Sequence, residues 1–340
     1  MTKPIIAATM LAAALCASAE PYKIILPTSP DDEGAMVRLV NYDSGATIDS
    51  VLAGPQSAVF TGSIDEPVLA RIMMEGRRNP VFILESGTIS FSQASPGAFG
   101  TMLNDQLKEF GDKAGELGQQ FNAAGSAEER QAIYARYQAL GDSLLNANSD
   151  NALGYYAFLN NDLSSMSIDE LNALLERYPQ FAAMNKVKNI AETAVRRQAT
   201  QPGGKFIDFE ITNDGVTKRL SDYVGNGKYV LVDFWASWCG PCMRQLPVLK
   251  DIYNKWHDSG LEVLGVAVWD QPEDTRRAIT EHELPWDCII NAGNIPTDLY
   301  GISGIPCIIL FGPDGTIISR DKQGDELKAD VDAAMASARQ

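Results

Sequence analysis

The chain predicts three zones: a small β-sandwich or barrel over residues 20–97, a helical region over 98–200 and an α/β fold over 203–340. Three observations carry this reading. Short alternating runs, punctuated by Gly, Pro, Asn and Asp, fill the first zone. Apolar residues at helical spacing fill the second. From Lys205 onward, strand-like runs alternate with helical stretches, the layer plan of a sheet covered on both faces. The 340 residues, 45% hydrophobic, suffice for two or three domains.

The segment ahead of these zones, MTKPIIAATMLAAALCASAE, has one lysine, an apolar run from Ile5 to about Ala17, and then Ala17-Ser18-Ala19. This is the pattern of a secretory signal peptide over residues 1–19, too short in its apolar run to span a bilayer. A lipoprotein reading through Cys16 fits less well, because Leu15 is bulky where a small residue is wanted. The mature chain is expected to begin near Glu20 in an oxidising, periplasmic or otherwise exported space. It keeps Cys239, Cys242, Cys288 and Cys307. A formal net charge of -16 repels phosphate backbones and anionic lipid, so no nucleic-acid partner is expected.

In the first zone YKIILP, MVRLVNY, ATIDSVLAG, SAVFTGSI, VLARIMME, NPVFILE and TISF read as strands. No His/Cys cluster, phosphate loop or carboxylate pair accompanies them, so a packing or docking module is the default. In the second, Leu103, Leu107 and Phe110, then Ile133, Tyr137, Leu140 and Leu144, recur at helical spacing. Ser167 ahead of Glu170 fits a capping box. Tyr155, Tyr156 and Phe158 are assigned to a core, and ATQPGG to a linker. In the third, KFIDFEI and VTKRL form a hairpin around Asn213-Asp214-Gly215. YVLVDFWA, LEVLGVAVW and IPCIILF are buried strands, PDG turns into TIISR, and helices follow in CMRQLPVLKDIYNKWHDSG, PEDTRRAITEHE and DELKADVDAAMASA.

The chemistry centres on WCGPC, residues 238–242. Cys239 falls where a buried strand ends and a helix begins, and unpaired backbone N–H groups there favour a thiolate. Pro241 is tolerated in a first helical turn, Gly240 admits a close-approaching chain, and Cys242 follows one turn on, within disulfide reach. The spacing suits one exposed attacking thiolate and one shielded resolving thiol. Asp233 interrupts the apolar run before them. A carboxyl buried there is held toward its neutral form, which suits it to exchange a proton with Cys242. The alternative is a strand-end Asp facing solvent.

VDFWASWCGPC resembles the thioredoxin active-site segment nearly residue for residue, and GIPCIILF the segment that carries the cis-proline. The resemblance implies a thioredoxin-like fold over 203–340, with Cys239 and Cys242 catalytic and Asp233 the proton acceptor. By the same resemblance Trp238, Gly240, Pro241, Ile305 and the cis Pro306 are substrate-binding, and Pro247 kinks the active-site helix. The signal peptide, the opening hairpin and the stretch Asp270 to Tyr300 are similar to the TlpA/ResA/DsbE-like branch of exported thiol-disulfide oxidoreductases, whose multidomain members carry N-terminal domains of unknown function. Two residues depart from the pattern: Gln245 stands where that branch often has a glutamate, and Cys307 directly follows Pro306. Both are candidate modulators. For Cys307 the options are a third thiol near the site or simple core packing, and a Cys288–Cys307 disulfide stays open.

A zinc site lacks a second CxxC or a paired-His motif, and no peroxiredoxin-type Pro-x-x-x-Thr-x-x-Cys is present, so no metal is expected. The expected activity is protein-disulfide reduction by dithiol exchange in envelope proteins. It needs no cofactor beyond the redox-active Cys239–Cys242 pair, and a membrane thiol donor supplies electrons. The resemblance allows apocytochrome c as one client class. The alternatives are the oxidase or isomerase direction of the same chemistry, or a non-enzymatic envelope binding module on a thioredoxin-like scaffold.

Overall fold

The structure is a computed structural model that describes residues 19–77, 80–92 and 97–337. The proposed signal peptide, with Cys16, lies outside the described residues except for Ala19. Two compact units emerge, one reaching Asp162 and taking in Gln180–Lys186, the other comprising Leu163–Pro179 and the chain from Val187.

The first unit opens with eight strands: β1 (Glu20–Pro27), β2 (Met36–Asn41), β3 (Thr47–Leu52), β4 (Ser57–Ile64), β5 (Val68–Met73), β6 (Val81–Leu84), β7 (Gly87–Phe91) and β8 (Ala98–Phe99). They form two four-stranded sheets, β4-β1-β7-β8 and β3-β2-β5-β6. Alternate residues of both sheets, among them Ile24, Phe60 and Ile89 from one and Leu39, Ile72 and Phe82 from the other, share one buried core. The zone is therefore a sandwich rather than a barrel. Its seven expected strands are all present, and β8 is an eighth.

Three helices follow in the same unit: α1 (Met102–Ala123), α2 (Ala127–Ala147) and α3 (Ala152–Leu159). Glu85, buried at the end of β6, accepts the backbone N–H groups of Leu103 and Asn104 and so satisfies donors at the start of α1. Ser126 and Asn151 cap α2 and α3 with their side chains. Tyr155 and Phe158 are buried as expected, and Tyr156 is half-buried. The helical stretch 98–200 is not a unit of its own. Its first three helices belong with the sandwich, because α1 and α3 pack on β-strands, and the next helix belongs with the second unit.

The second unit contains α4 (Ile168–Arg177), opened by the Ser167/Glu170 capping box, and most of α5 (Asn185–Ala199). The hairpin β9 (Glu210–Asn213) and β10 (Val216–Arg219) turns through Asp214 and Gly215, both at positive φ (51° and 77°), the backbone of a two-residue type I′ loop. Then come β11 (Tyr229–Trp235), α6 (Gly240–Trp256), β12 (Leu261–Ala267), α7 (Pro272–Glu281), β13 (Asp287–Ile289), α8 (Ile295–Tyr300), β14 (Cys307–Phe311), β15 (Ile317–Arg320) and α9 (Gly324–Ser337). The sequence pattern passes over β13 and α8, because each spans fewer than two periods of its own signal.

The sheet order is β13-β12-β11-β14-β15, with β11, β12 and β13 parallel and β14 and β15 antiparallel to their neighbours. Side chains alternate between two cores. Leu231, Trp235, Ile308 and Leu310 face α6 and α9; Val230, Val232, Phe234 and Ile309 face Tyr300 and Ile302. Both faces of the central strands are thus covered, which is why β11 reads as a continuous apolar run.

Candidate functional site: a dithiol over a buried carboxyl

Cys239 and Cys242 are joined as a disulfide, with Cα atoms 5.2 Å apart. Cys239 is the N-cap of α6, and the Cys242 backbone N–H donates to its Sγ at 3.2 Å. The strand-to-helix junction thus delivers an orphan helix donor to the first sulfur, as the sequence suggested. Ile305 and Pro306, joined by a cis peptide, stand opposite, and the Ile305 carbonyl oxygen lies 3.7 Å from Cys239 Sγ.

Cys239 is less open than expected. It is only 3% exposed and Cys242 is fully buried, so the disulfide meets the surface through a narrow window at Cys239. The rim of that window is Trp238, Gly240 and Pro241, all exposed, and Ile305 and Pro306, both half-buried. Trp238 is 63% exposed, yet its indole N–H donates to the Trp269 carbonyl at 2.9 Å, so it is held without being buried. Beside it a shallow groove of about 250 Å³ runs between α6 and α7, lined by Ser237, Trp238, Met243, Arg277, Glu281 and His282.

Asp233 lies in the middle of β11 and is 2% exposed; it does not face solvent. Its Oδ1 has no hydrogen-bond partner, and burial pushes its pKa up to about 7. A buried carboxyl with that proton affinity carries or releases a proton near neutral pH. Register puts it on the same sheet face as Leu231 and Trp235, the face shared with both cysteines of the disulfide.

The two departures from the thioredoxin pattern have separate fates. Gln245 is buried on α6, where its Oε1 accepts the Gly324 backbone N–H at 3.2 Å at the start of α9, and its Nε2 has no partner. Cys307 is buried on the opposite face of the sheet from the disulfide. Its thiol donates to Asp321 Oδ1 at 3.1 Å and contacts the Arg320 guanidinium, and burial pushes its pKa well up. Strand alternation thus turns the residue after Pro306 away from the dithiol. Cys288 and Cys307 are both free and sit in opposite cores, so the disulfide left open between them does not form.

Sequence reasoning missed the residues that hold the active-site loop. Asp270 accepts the Ser237 backbone N–H at 2.7 Å and its hydroxyl at 2.9 Å, the Gln271 N–H at 3.0 Å and the Thr275 hydroxyl at 2.8 Å. Trp269, at a φ of 55°, adopts a left-handed conformation rare for so bulky a residue, and its carbonyl meets Trp238. Nothing local in the sequence marks this clamp, since Ser237 and Trp238 stand more than thirty residues from Asp270 and Trp269. A second missed neighbour, Cys288 across Gly265, did leave a signal: a glycine inside a buried strand points to a close approach. Among the described residues no group of three His, Cys, Asp or Glu could hold a metal ion, and no helix is long and apolar enough to cross a membrane.

A five-stranded sheet with covered faces, a Cys-Gly-Pro-Cys disulfide at a helix start and a buried carboxyl in the preceding strand define a thioredoxin-like redox domain. Residues 202–320 match the AhpC/TSA family, and residues 22–107 match a domain of unknown function, DUF4369. Among curated relatives, a thiol-disulfide oxidoreductase ResA of Bacillus thuringiensis subsp. konkukian is 24% identical over 138 residues, 40% of this chain and 78% of the relative. Another, from Geobacillus thermodenitrificans, is 29% identical over 126 residues, 37% of this chain and 69% of the relative. A solved thioredoxin domain of a thiol-disulfide oxidoreductase from Bacteroides vulgatus is 33% identical, covering 39% of this chain and 96% of that one, with a TM-score of 0.36. The dithiol and the curated relatives make the chain a thiol-disulfide oxidoreductase.

Proposed function

We propose that the chain is an exported protein-disulfide reductase acting on disulfide-containing envelope proteins. The observation that carries the reading is the Cys239–Cys242 pair capping α6 with unpaired, buried Asp233 on the same face. In the reduced protein, Cys239 thiolate attacks one sulfur of a client disulfide; a Cys239–client bond forms, and the client's other sulfur leaves as a thiolate and takes up a proton. Asp233 then accepts the Cys242 proton, and Cys242 sulfur displaces the client from Cys239. The client leaves with two electrons and, after protonation, two thiols, while Cys239–Cys242 is oxidised. A membrane thiol donor reverses that last bond. No dissolved cofactor takes part. Trp238, Gly240, Pro241, Ile305 and Pro306 receive the client backbone around the narrow opening at Cys239.

Export rests on the first nineteen residues, whose pattern is that of a signal peptide. The reductase direction rests on the Gly-Pro dipeptide shared with thioredoxin, whose potential is about -270 mV, against about -120 mV for the oxidant DsbA. Two measurements test the reading. Cys242→Ser should accumulate mixed disulfides with client proteins and Cys239→Ser should not; insulin reduction retained by both variants would overturn the site. A potential against glutathione near the DsbA figure would overturn the direction.

A further inference from the structure

We infer that Cys288 is a positioning residue for proton transfer at the dithiol: its thiol and the Trp235 indole N–H, brought together over Gly265, are the donors that receive the Asp233 carboxylate when it ionises. This rests on the reading of Asp233 as the base for Cys242.

The argument begins with Gly265. It interrupts the buried strand LEVLGVAVW, where a glycine weakens pairing and has no side chain to pack. Register puts Asp233 opposite Gly265 on β11, and Gly265 opposite Cys288 on β13. A Cβ on Gly265 would lie 2.7 Å from Cys288 Sγ, 3.0 Å from Trp235 Nε1 and 3.6 Å from Trp286 Nε1. The glycine is therefore needed because a thiol and an indole N–H already converge on the place its side chain would take. Neighbouring strands are about 4.8 Å apart, so without this convergence Cys288 would stand two strand spacings from Asp233.

Two atoms around this spot are buried and lack partners: Asp233 Oδ1 and Trp235 Nε1. One accepts once ionised and the other always donates, and they sit two residues apart on one face of β11. Other groups facing Asp233 offer it no charge. Gly265 on β12 and Ile308 on β14 flank it in register. On its face, α6 brings Cys239, Cys242 and uncharged Gln245, while α7 and α9 bring Ala278, Leu327, Val331 and Met335. Beyond Cys288 stand Asp287 and Lys218, bonded to each other near the surface. Burial alone accounts for the raised pKa of Asp233, and burial with the nearby carboxylates pushes the Cys288 thiol up to about 12. Cys288 thus stays protonated, a donor, across the whole range in which Asp233 titrates. Donors that bond the ionised form keep a base ionised at lower pH.

The test is the single-turnover reduction of a model peptide disulfide at saturating peptide, followed from pH 5 to 9 with the reduced full chain. Asp233→Asn should lose the acid limb of the profile. Cys288→Ala should move the limb upward by about one pH unit, a loss of up to about tenfold in rate on its acid side, while Cys288→Ser, which keeps a donor, should leave it in place. If Cys288→Ala does not fold, Cys288→Val keeps the volume without the donor. A Cys288→Ala limb that superposes on the wild type overturns the proposal, as does an equal fall in rate at every pH, the mark of a packing defect. An acid limb that survives Asp233→Asn overturns the base reading itself, and the proposal with it.

Discussion

Replacing Asp233 by Asn should stabilise the second unit, and by an amount that depends on pH. The carboxyl ordinarily titrates at 3.8, and burial raises this to about 7. Below pH 3.8 the native and unfolded chains both hold the proton. Between 3.8 and about 7 only the native chain does, so wild-type stability falls as pH rises through that window. Above about 7 both have lost it, and the deficit is fully present. At about 1.4 kcal/mol per pH unit, the whole window is worth about 4 kcal/mol. Asn carries no charge and shows no such fall. All five tryptophans, at positions 235, 238, 256, 269 and 286, lie in the second unit, so urea unfolding followed by tryptophan fluorescence reads that unit alone. With Cys239–Cys242 kept oxidised, the Asn variant should gain about 4 kcal/mol on wild type between pH 4 and pH 8. Parallel stability curves across that range would refute the account of a carboxyl that burial holds toward its neutral form.

Two further outcomes follow from the surroundings of the dithiol. Asp270→Ala removes an acceptor that holds four donors, two of them on Ser237, and should cost about 2–3 kcal/mol of unfolding free energy and lower kcat/KM for a disulfide substrate; a variant of unchanged stability and rate would sink the clamp. Cys307→Ala should lower stability, since it strips the Asp321 and Arg320 contacts, yet leave the dithiol potential within about 10 mV, well under 1 kcal/mol for a two-electron couple. A larger shift, measured against glutathione, would return Cys307 to the redox site.

The departures from expectation share a cause. The dithiol, the strand before it and the helix after it are legible because each rests on neighbours in sequence: an apolar run, a helix start, a two-residue spacer. Asp233 is legible for the same reason, as a carboxyl where the local pattern demands an apolar residue. Cys307 carries no such cue. Its neighbour Pro306 belongs to the rim of the site, but a one-residue step along a strand reverses the face, and the thiol ends among Arg320 and Asp321. Gln245 likewise reads as an altered acid and proves to accept from the start of α9, far off in sequence. The helical stretch 98–200 looks uniform in composition, yet its helices divide between two units, because membership depends on what each apolar face packs against.

By itself the sequence determined seven of the eight strands of the sandwich, most of the alternation of strand and helix from Lys205, the Cys239–Cys242 pair at a helix start, and the burial of Asp233. These are properties of short windows, written in periodicity and in residues too costly to bury without a purpose. Tertiary structure alone decided how narrow the access to Cys239 is, which side of the sheet Cys307 takes, how Asp270 holds Ser237, and that a thiol and an indole converge over Gly265, the register partner of Asp233. Each depends on sheet register or on contacts between distant segments, and those are fixed only when the whole sheet has formed.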